Sequence, residues 1–250
     1  MKFLCLHGAI GSIEVSWVEA LKRPGPLRKE METDNAASFH YINAPLPVSP
    51  PQEFDKYFGV GPYYRWIDDG GVAENTVISR VRKSPIGETP EDMMRDLMGD
   101  SPVFWHNHQS AMDYLYDTLE ENPDIEGVIG YSEGASVAAS LILDEQRRLW
   151  DTGRPRRIKC AVFFTGWPPV SSDGDFMLSD ERDILVDVPS LHVVGAYDPF
   201  RYGAFALYNT CDPNNAIMFD TGKGHTLPRS GPVIQELGEA MRTLIGRAYS

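Results

Sequence analysis

Apolar residues in this chain gather in short unbroken runs separated by stretches with three- and four-residue spacing. Five runs are near-continuous rather than alternating: KFLCLHG (2–8), SFHYINA (38–44), GVIGYS (127–132), KCAVFFTG (159–166) and SLHVVGAYD (190–198). That is the pattern of strands buried on both faces of a parallel sheet. NAIMFDTG (215–222) reads as a sixth strand. Helical spacing fills the intervals at 14–31, 105–121, 133–149, 201–210 and 231–248. The last of these places Val233, Leu237, Met241 and Leu244 on one face. Strands alternating with helices imply an α/β domain, a mostly parallel sheet flanked by helices on both faces.

Residues 45–104 break the alternation. The stretch APLPVSPPQEFDKYFGVGPYYRWIDDGG is rich in proline, glycine and aromatics, and SRVRKSPIGETPEDMMRDLMGDSPVFW supports one short amphipathic helix around 90–98. A long irregular excursion within a compact domain is usually functional or disordered, and the aromatics argue against disorder. The expectation is one domain over 1–250, with 45–104 as a cap over the strand ends.

Composition narrows the function classes. A hydrophobic fraction of 42% fills a core, and a net charge of −13 repels phosphates, which argues against a nucleic-acid partner. Cys5, Cys160 and Cys211 are too few and too scattered for a disulfide framework or a zinc site. The N-terminus lacks a signal-peptide pattern, and no apolar run approaches the roughly 18 residues of a membrane span. The expected setting is cytoplasmic, without membrane, metal or cofactor. One stretch opposes the acidic background: QRRLWDTGRPRRIK gathers Arg147, Arg148, Arg154, Arg156, Arg157 and Lys159. It reads either as a docking patch for an acidic carrier protein or pantetheine phosphate, or as a solvated helix end and loop.

The candidate chemistry centres on VIGYSEGASVAAS (128–140). Gly130-x-Ser132-x-Gly134 has the nucleophile-elbow spacing, in which a sharp strand-to-helix turn exposes a serine oxygen. Alone the pattern is weak, since three residues of roughly 7% abundance coincide in about one such chain in ten. A buried strand directly before it and a strong helix directly after it strengthen the case. A serine needs a base. Of six histidines, His225 lies in DTGKGHTLPRS, between the last strand and the last helix. His40 and His192 fall within strands as core histidines. His106 and His108, two apart at a helix start, face different sides and make a poor metal pair. Asp198 ends an apolar strand in LHVVGAYDPF and is the best orienting acid, with Asp183, Asp187 and Asp212 as competitors. The order serine, acid, histidine is that of the α/β-hydrolases. An oxyanion hole would take the amide of Glu133 and one from LHGAIGS, at Ala9 or neighbouring Ile10, with His7 bracing the loop. The Glu133 carboxylate at a helix N-terminus reads as structural.

GYSEGA, GAYDPF, GKGHTLP and the opening LCLHG together resemble the FSH-type family of fungal serine hydrolases, as does INAPLP with GPYYRWID later in the chain. The likeness runs from residue 2 to about 245. It implies an α/β-hydrolase fold with Ser132, Asp198 and His225 as a triad. It also implies thioesterase activity of the kind that releases a polyketide chain from an acyl carrier protein, no cofactor, and an acyl thioester or ester substrate. Other family members act as carboxylesterases, and some relatives close the chain into a lactone. Where many members have GGHHIP this chain has GKGHTLP, and 70–104 is longer than usual. Tyr57, Phe58, Tyr63, Tyr64, Trp66, Phe104, Trp105 and Trp167 are candidates for an acyl-pocket wall, or for holding the cap to the body. A non-catalytic ligand receptor on the same scaffold is the alternative from another class.

Overall fold

The computed structural model describes residues 1–13, 25–50, 60–70, 87–99, 105–181 and 185–250. Most of the helix expected over 14–31 lies outside these residues, as do Tyr57, Phe58, Phe104 and Asp183. Strands β1 (Lys2–Leu6), β2 (Ser38–Ile42), β5 (Ile125–Tyr131), β6 (Cys160–Phe164), β7 (Ser190–Val194) and β8 (Ala216–Asp220) form one sheet. Its order is β2-β1-β5-β6-β7-β8 and every pairing is parallel. All six expected strands are therefore present, and the fold is that of an α/β-hydrolase.

Period-two geometry explains the unbroken apolar runs. Leu4, Leu6, Val128 and Phe163 face one core, which also holds Met112, Leu115, Ala138 and Ile142. Phe3, Cys5, Ile129, Val162 and Leu191 face the other, with Leu27, Met31, Leu237 and Met241. Both faces are covered, so neither set of alternate positions is polar. The helices supplying those residues are α1 (Pro26–Glu32), α3 (His108–Glu121), α4 (Glu133–Thr152) and α6 (Pro232–Ala248). Proline in the first turn starts α1 and α6, where its missing N–H costs nothing. Gly153 at φ +71° stops α4. On α6 the buried face runs Ile234, Leu237, Gly238, Met241, Leu244, so Ile234 takes the place expected for Val233. Val233 sits one residue too early, beside the groove under the 221–230 loop.

Two described parts of 45–104 are ordered against the body. β3 (Leu46–Pro47) and β4 (Tyr64–Arg65) pair as a small antiparallel ribbon. α2 (Pro90–Met98), capped by the Thr89 side chain on the Asp92 amide, matches the helix expected at 90–98. It packs Met94 and Leu97 against Ala206 of α5 (Arg201–Asn209) and against Leu178. Glu91, 5% exposed, accepts from Ser179 Oγ and Asn209 Nδ2 at 2.8 Å each. Among the described residues no helix is long and apolar enough to cross a membrane.

Candidate active site

Ser132, Asp198 and His225 lie just past the C-terminal ends of β5, β7 and β8. Ligands of open parallel sheets gather at that edge. Ser132 has φ +52° and ψ −120°, strained for a residue with a Cβ. The turn is held by a bond from its own amide to Phe164 O (2.9 Å), and its carbonyl accepts from Ala135 (3.0 Å). The flanking glycines are required by approach: a Cβ on Gly130 would lie 2.4 Å from Ala135 Cα, and one on Gly134 2.4 Å from His7 O and Leu6 O. The elbow spacing thus has a steric cause in the crossing of α4 over β1 and β5.

Asp198 has no exposed surface, and its Oδ2 lies 2.8 Å from His225 Nδ1. Its Oδ1 accepts the Phe200 amide at 2.8 Å. An ionised Asp198 in this position keeps the imidazole proton on Nδ1 and leaves Nε2 as the basic nitrogen. The ring sits between Tyr131 (5.2 Å between centroids) and Phe200 (4.8 Å), and Tyr131 Oη donates to His225 O at 3.1 Å. Burial raises the Tyr131 pKa above its ordinary value, so its hydroxyl stays a donor. Tyr131 and Phe200 are not singled out by the sequence. Their only signal is adjacency, one residue before the serine and two after the aspartate. The two described competing acids are engaged elsewhere: Asp187 pairs with Arg156, and Asp212 with Asn214 and Asn215.

The loop after β1 passes over the elbow, since a Cβ on Gly8 would come within 3.2 Å of Ser132 Cβ. His7 is buried and braces that loop, as expected. Its Nε2 accepts the Ala44 amide (2.9 Å), so Nδ1 carries the proton and donates to Gly8 O (2.7 Å). Because the Gly8–Ala9 peptide is planar and trans, fixing Gly8 O also fixes the opposite direction of the Ala9 N–H. Ile10 comes next at φ +54°, a second strained residue in the same loop. Glu133 opens α4, where no helical carbonyl is available to its amide.

The Glu133 carboxylate does more than face a helix dipole. Oε2 accepts from Arg65 Nε (3.1 Å) and Nη2 (2.8 Å), and Oε1 from the Trp66 amide (2.7 Å). Arg65 also bonds both oxygens of buried Asp69 (3.3 and 3.2 Å). Burial opposes the Arg65 charge, but Glu133 and Asp69 outweigh it and lift its pKa.

The aromatic wall candidates divide by burial. Tyr63, Trp66 and Trp105 are 5%, 0% and 3% exposed, and the indole N–H groups donate to His7 O (Trp66, 2.8 Å) and Trp66 O (Trp105, 3.3 Å). The indoles of Trp66 and Trp105 thus tie this segment to the loop after β1 and to itself. Tyr64 and Trp167 keep partial exposure. Trp167 is 5.8 Å from Phe200, which continues to His225, so an aromatic chain leads to the histidine. A separate cavity of about 600 Å³ lies beside α4, lined by residues such as Asp144, Trp150, Ser171 and Leu185, and includes none of the three site residues.

The basic stretch is consumed by internal partners. Arg147 and Arg148 pair with Asp144, Arg154 with Glu120, Arg156 with Asp187, and Lys159 with Glu126, while Arg157 donates to Leu119 O. Arg156, Arg157 and Lys159 also sit at the strand-entry edge, about 17 Å along a five-residue strand from the edge bearing Ser132.

Ser132 on its strained strand-to-helix turn and the Asp-bound His225 thus share one edge of the sheet. Residues 1–237 match the family described as Serine hydrolase (FSH1), and the chain belongs to it. The chain is 25% identical over 246 residues to "Hydrolase phiM" of Talaromyces stipitatus, covering 95% of this chain and 84% of that one. It is 26% identical over 241 residues to "Esterase mlcF" of Penicillium citrinum, covering 93% and 85%. Among solved structures it resembles "RedJ-Thioesterase from the Prodiginine biosynthetic pathway in Streptomyces coelicolor", with a TM-score of 0.50, 15% identity and coverage of 97% and 89%. At that identity the likeness speaks for the fold.

Proposed function

We propose that this serine hydrolase cleaves acyl thioesters or esters with Ser132 as nucleophile, His225 as base and Asp198 as orienting acid. The observation that carries the reading is the 2.8 Å bond between His225 Nδ1 and a fully buried Asp198, at the sheet edge where Ser132 is held at positive φ. His225 Nε2 takes the Ser132 proton as the oxygen attacks the carbonyl carbon. The amides of Ala9 and Glu133 hold the oxyanion. The thiol or alcohol leaves with that proton, and water attacks the acyl-enzyme with His225 again as base.

The described parts of 45–104, the β3–β4 ribbon and α2, act as a cap over this edge. The chain Trp167–Phe200–His225 and the exposed face of Tyr64 offer an apolar acyl group a wall beside the base. Thioesters suit the site chemically because a thiolate leaves with little acid assistance. The family likeness, with curated relatives named as hydrolases and esterases, favours release of a polyketide acyl chain from a carrier protein. The test is labelling with a fluorophosphonate, mass mapping of the adduct, and turnover of acyl N-acetylcysteamine thioesters beside matched p-nitrophenyl esters. An adduct on Ser132 and faster thioester turnover are expected. Intact protein that neither labels nor turns over would return the chain to the ligand-receptor class.

A further inference from the structure

Glu133 lies directly after the nucleophile, yet its carboxylate points into the β3–β4 ribbon. One oxygen receives the fork of Arg65 and the other receives the backbone amides of Trp66 (2.7 Å) and Ile67 (3.4 Å). The ribbon in turn grips the loop after β1 at two points. Tyr64 and Gly11 exchange backbone bonds (2.8 and 3.2 Å), and Trp66 Nε1 donates to His7 O (2.8 Å). That same carbonyl abuts Gly134, the residue after Glu133, with no room for a Cβ. The chain of contacts is closed: elbow to ribbon, ribbon to loop, loop to elbow.

We propose that the Glu133 carboxylate is a positioning residue: through Arg65 and the Trp66 amide it fixes the ribbon that sets the Ala9 amide over Ser132. The inference rests on the acyl-transfer reading and adds a residue whose side chain touches neither substrate nor nucleophile. The ligand pattern makes it specific for a carboxylate. All of its described partners are donors, arriving on both oxygens. A glutamine in either orientation turns its NH2 toward donors, so Arg65 or the Trp66 amide must let go. Asp69, which shares the Arg65 Nη2 with Glu133 and also takes Nη1, holds the guanidinium in line so that its Nε–Nη2 fork meets Glu133.

The test is steady-state kinetics of Glu133→Gln and Arg65→Lys on a p-nitrophenyl ester, with inhibition by a trifluoromethyl ketone that adds to Ser132 as an anionic adduct. Glu133→Gln should lower kcat roughly 10- to 100-fold, as a misplaced oxyanion donor does. KM should stay within about twofold, and ketone affinity should fall by the same factor as kcat. Arg65→Lys keeps the charge but not the fork, and should show the same split more weakly. It carries the test if Glu133→Gln does not fold. A kcat within twofold of wild type in a folded variant overturns the proposal. So does a raised KM with kcat kept, or a kcat loss without loss of ketone affinity. Wild-type protein unreactive toward fluorophosphonate would instead sink the acyl-transfer reading itself.

Discussion

At the residue scale, the site is built from side chains that each carry one constraint. Ser132→Ala should remove fluorophosphonate labelling. Asp198→Asn, which leaves the histidine without its carboxylate, should lower kcat/KM by about 10³- to 10⁴-fold in ester hydrolysis. His192 illustrates a histidine with a different task. It is buried beside Ser190 Oγ (3.0 Å), and burial pushes its pKa down to about 3. The unfolded chain therefore binds a proton below about pH 6.5 that the folded chain refuses until about pH 3. Its contribution to stability is present above pH 6.5 and is lost as pH falls through that window, by up to about 1.4 kcal/mol per pH unit. Urea midpoints of His192→Asn should change less between pH 7 and pH 5 than those of wild type. Cys160 and Cys211, whose thiols burial pushes up to about 12, should stay unmodified by iodoacetamide in native protein at pH 8.

At the element scale, α4 is the organising helix. Its small residues let it lie close to the sheet, and Ser136 and Ser140 pin the loop after β6 through Trp167 O (3.0 Å) and the Val170 amide (2.9 Å). Its first turn depends on Gly134 clearing the backbone of β1. Gly134→Ala forces a Cβ against two carbonyl oxygens that cannot swing aside, so a loss of roughly 1–3 kcal/mol is expected. The urea midpoint measures that loss, and kcat should fall with it because the displaced carbonyl belongs to the loop bearing Ala9. An unchanged midpoint would mean that β1 yields more readily than its hydrogen bonds to β2 and β5 suggest.

At the scale of the molecule, the sheet has a reactive edge and an entry edge, and charge is distributed across both. The arginine-rich stretch reads either as a docking patch or as a solvated helix end and loop, and in the fold five of its six cations pair with carboxylates, Arg147 and Arg148 sharing Asp144. Reversing exposed Arg147 and Arg154 to glutamate should therefore leave kcat/KM for a carrier-bound acyl thioester within about twofold. A drop of tenfold, with free thioester turnover unchanged, would restore the patch as a carrier site.

Local pattern alone determined the sheet and the glycine-flanked strand-to-helix turn at Ser132. Strands buried on both faces are largely apolar, and a turn between closely crossing elements must be flanked by glycine. His225 and Asp198 were legible for the same reason, since strand ends are marked by the chain itself. Contacts between residues far apart in sequence left no such mark. The clamp of Glu133 on Arg65 spans 68 positions, and Trp66 reaches His7 across 59. Glutamate at a helix start and tryptophan in an irregular segment look alike whether they face solvent, substrate or another loop. Only the tertiary packing decided, because the energy of a buried carboxylate or indole lies in which distant donors and acceptors the fold brings to it.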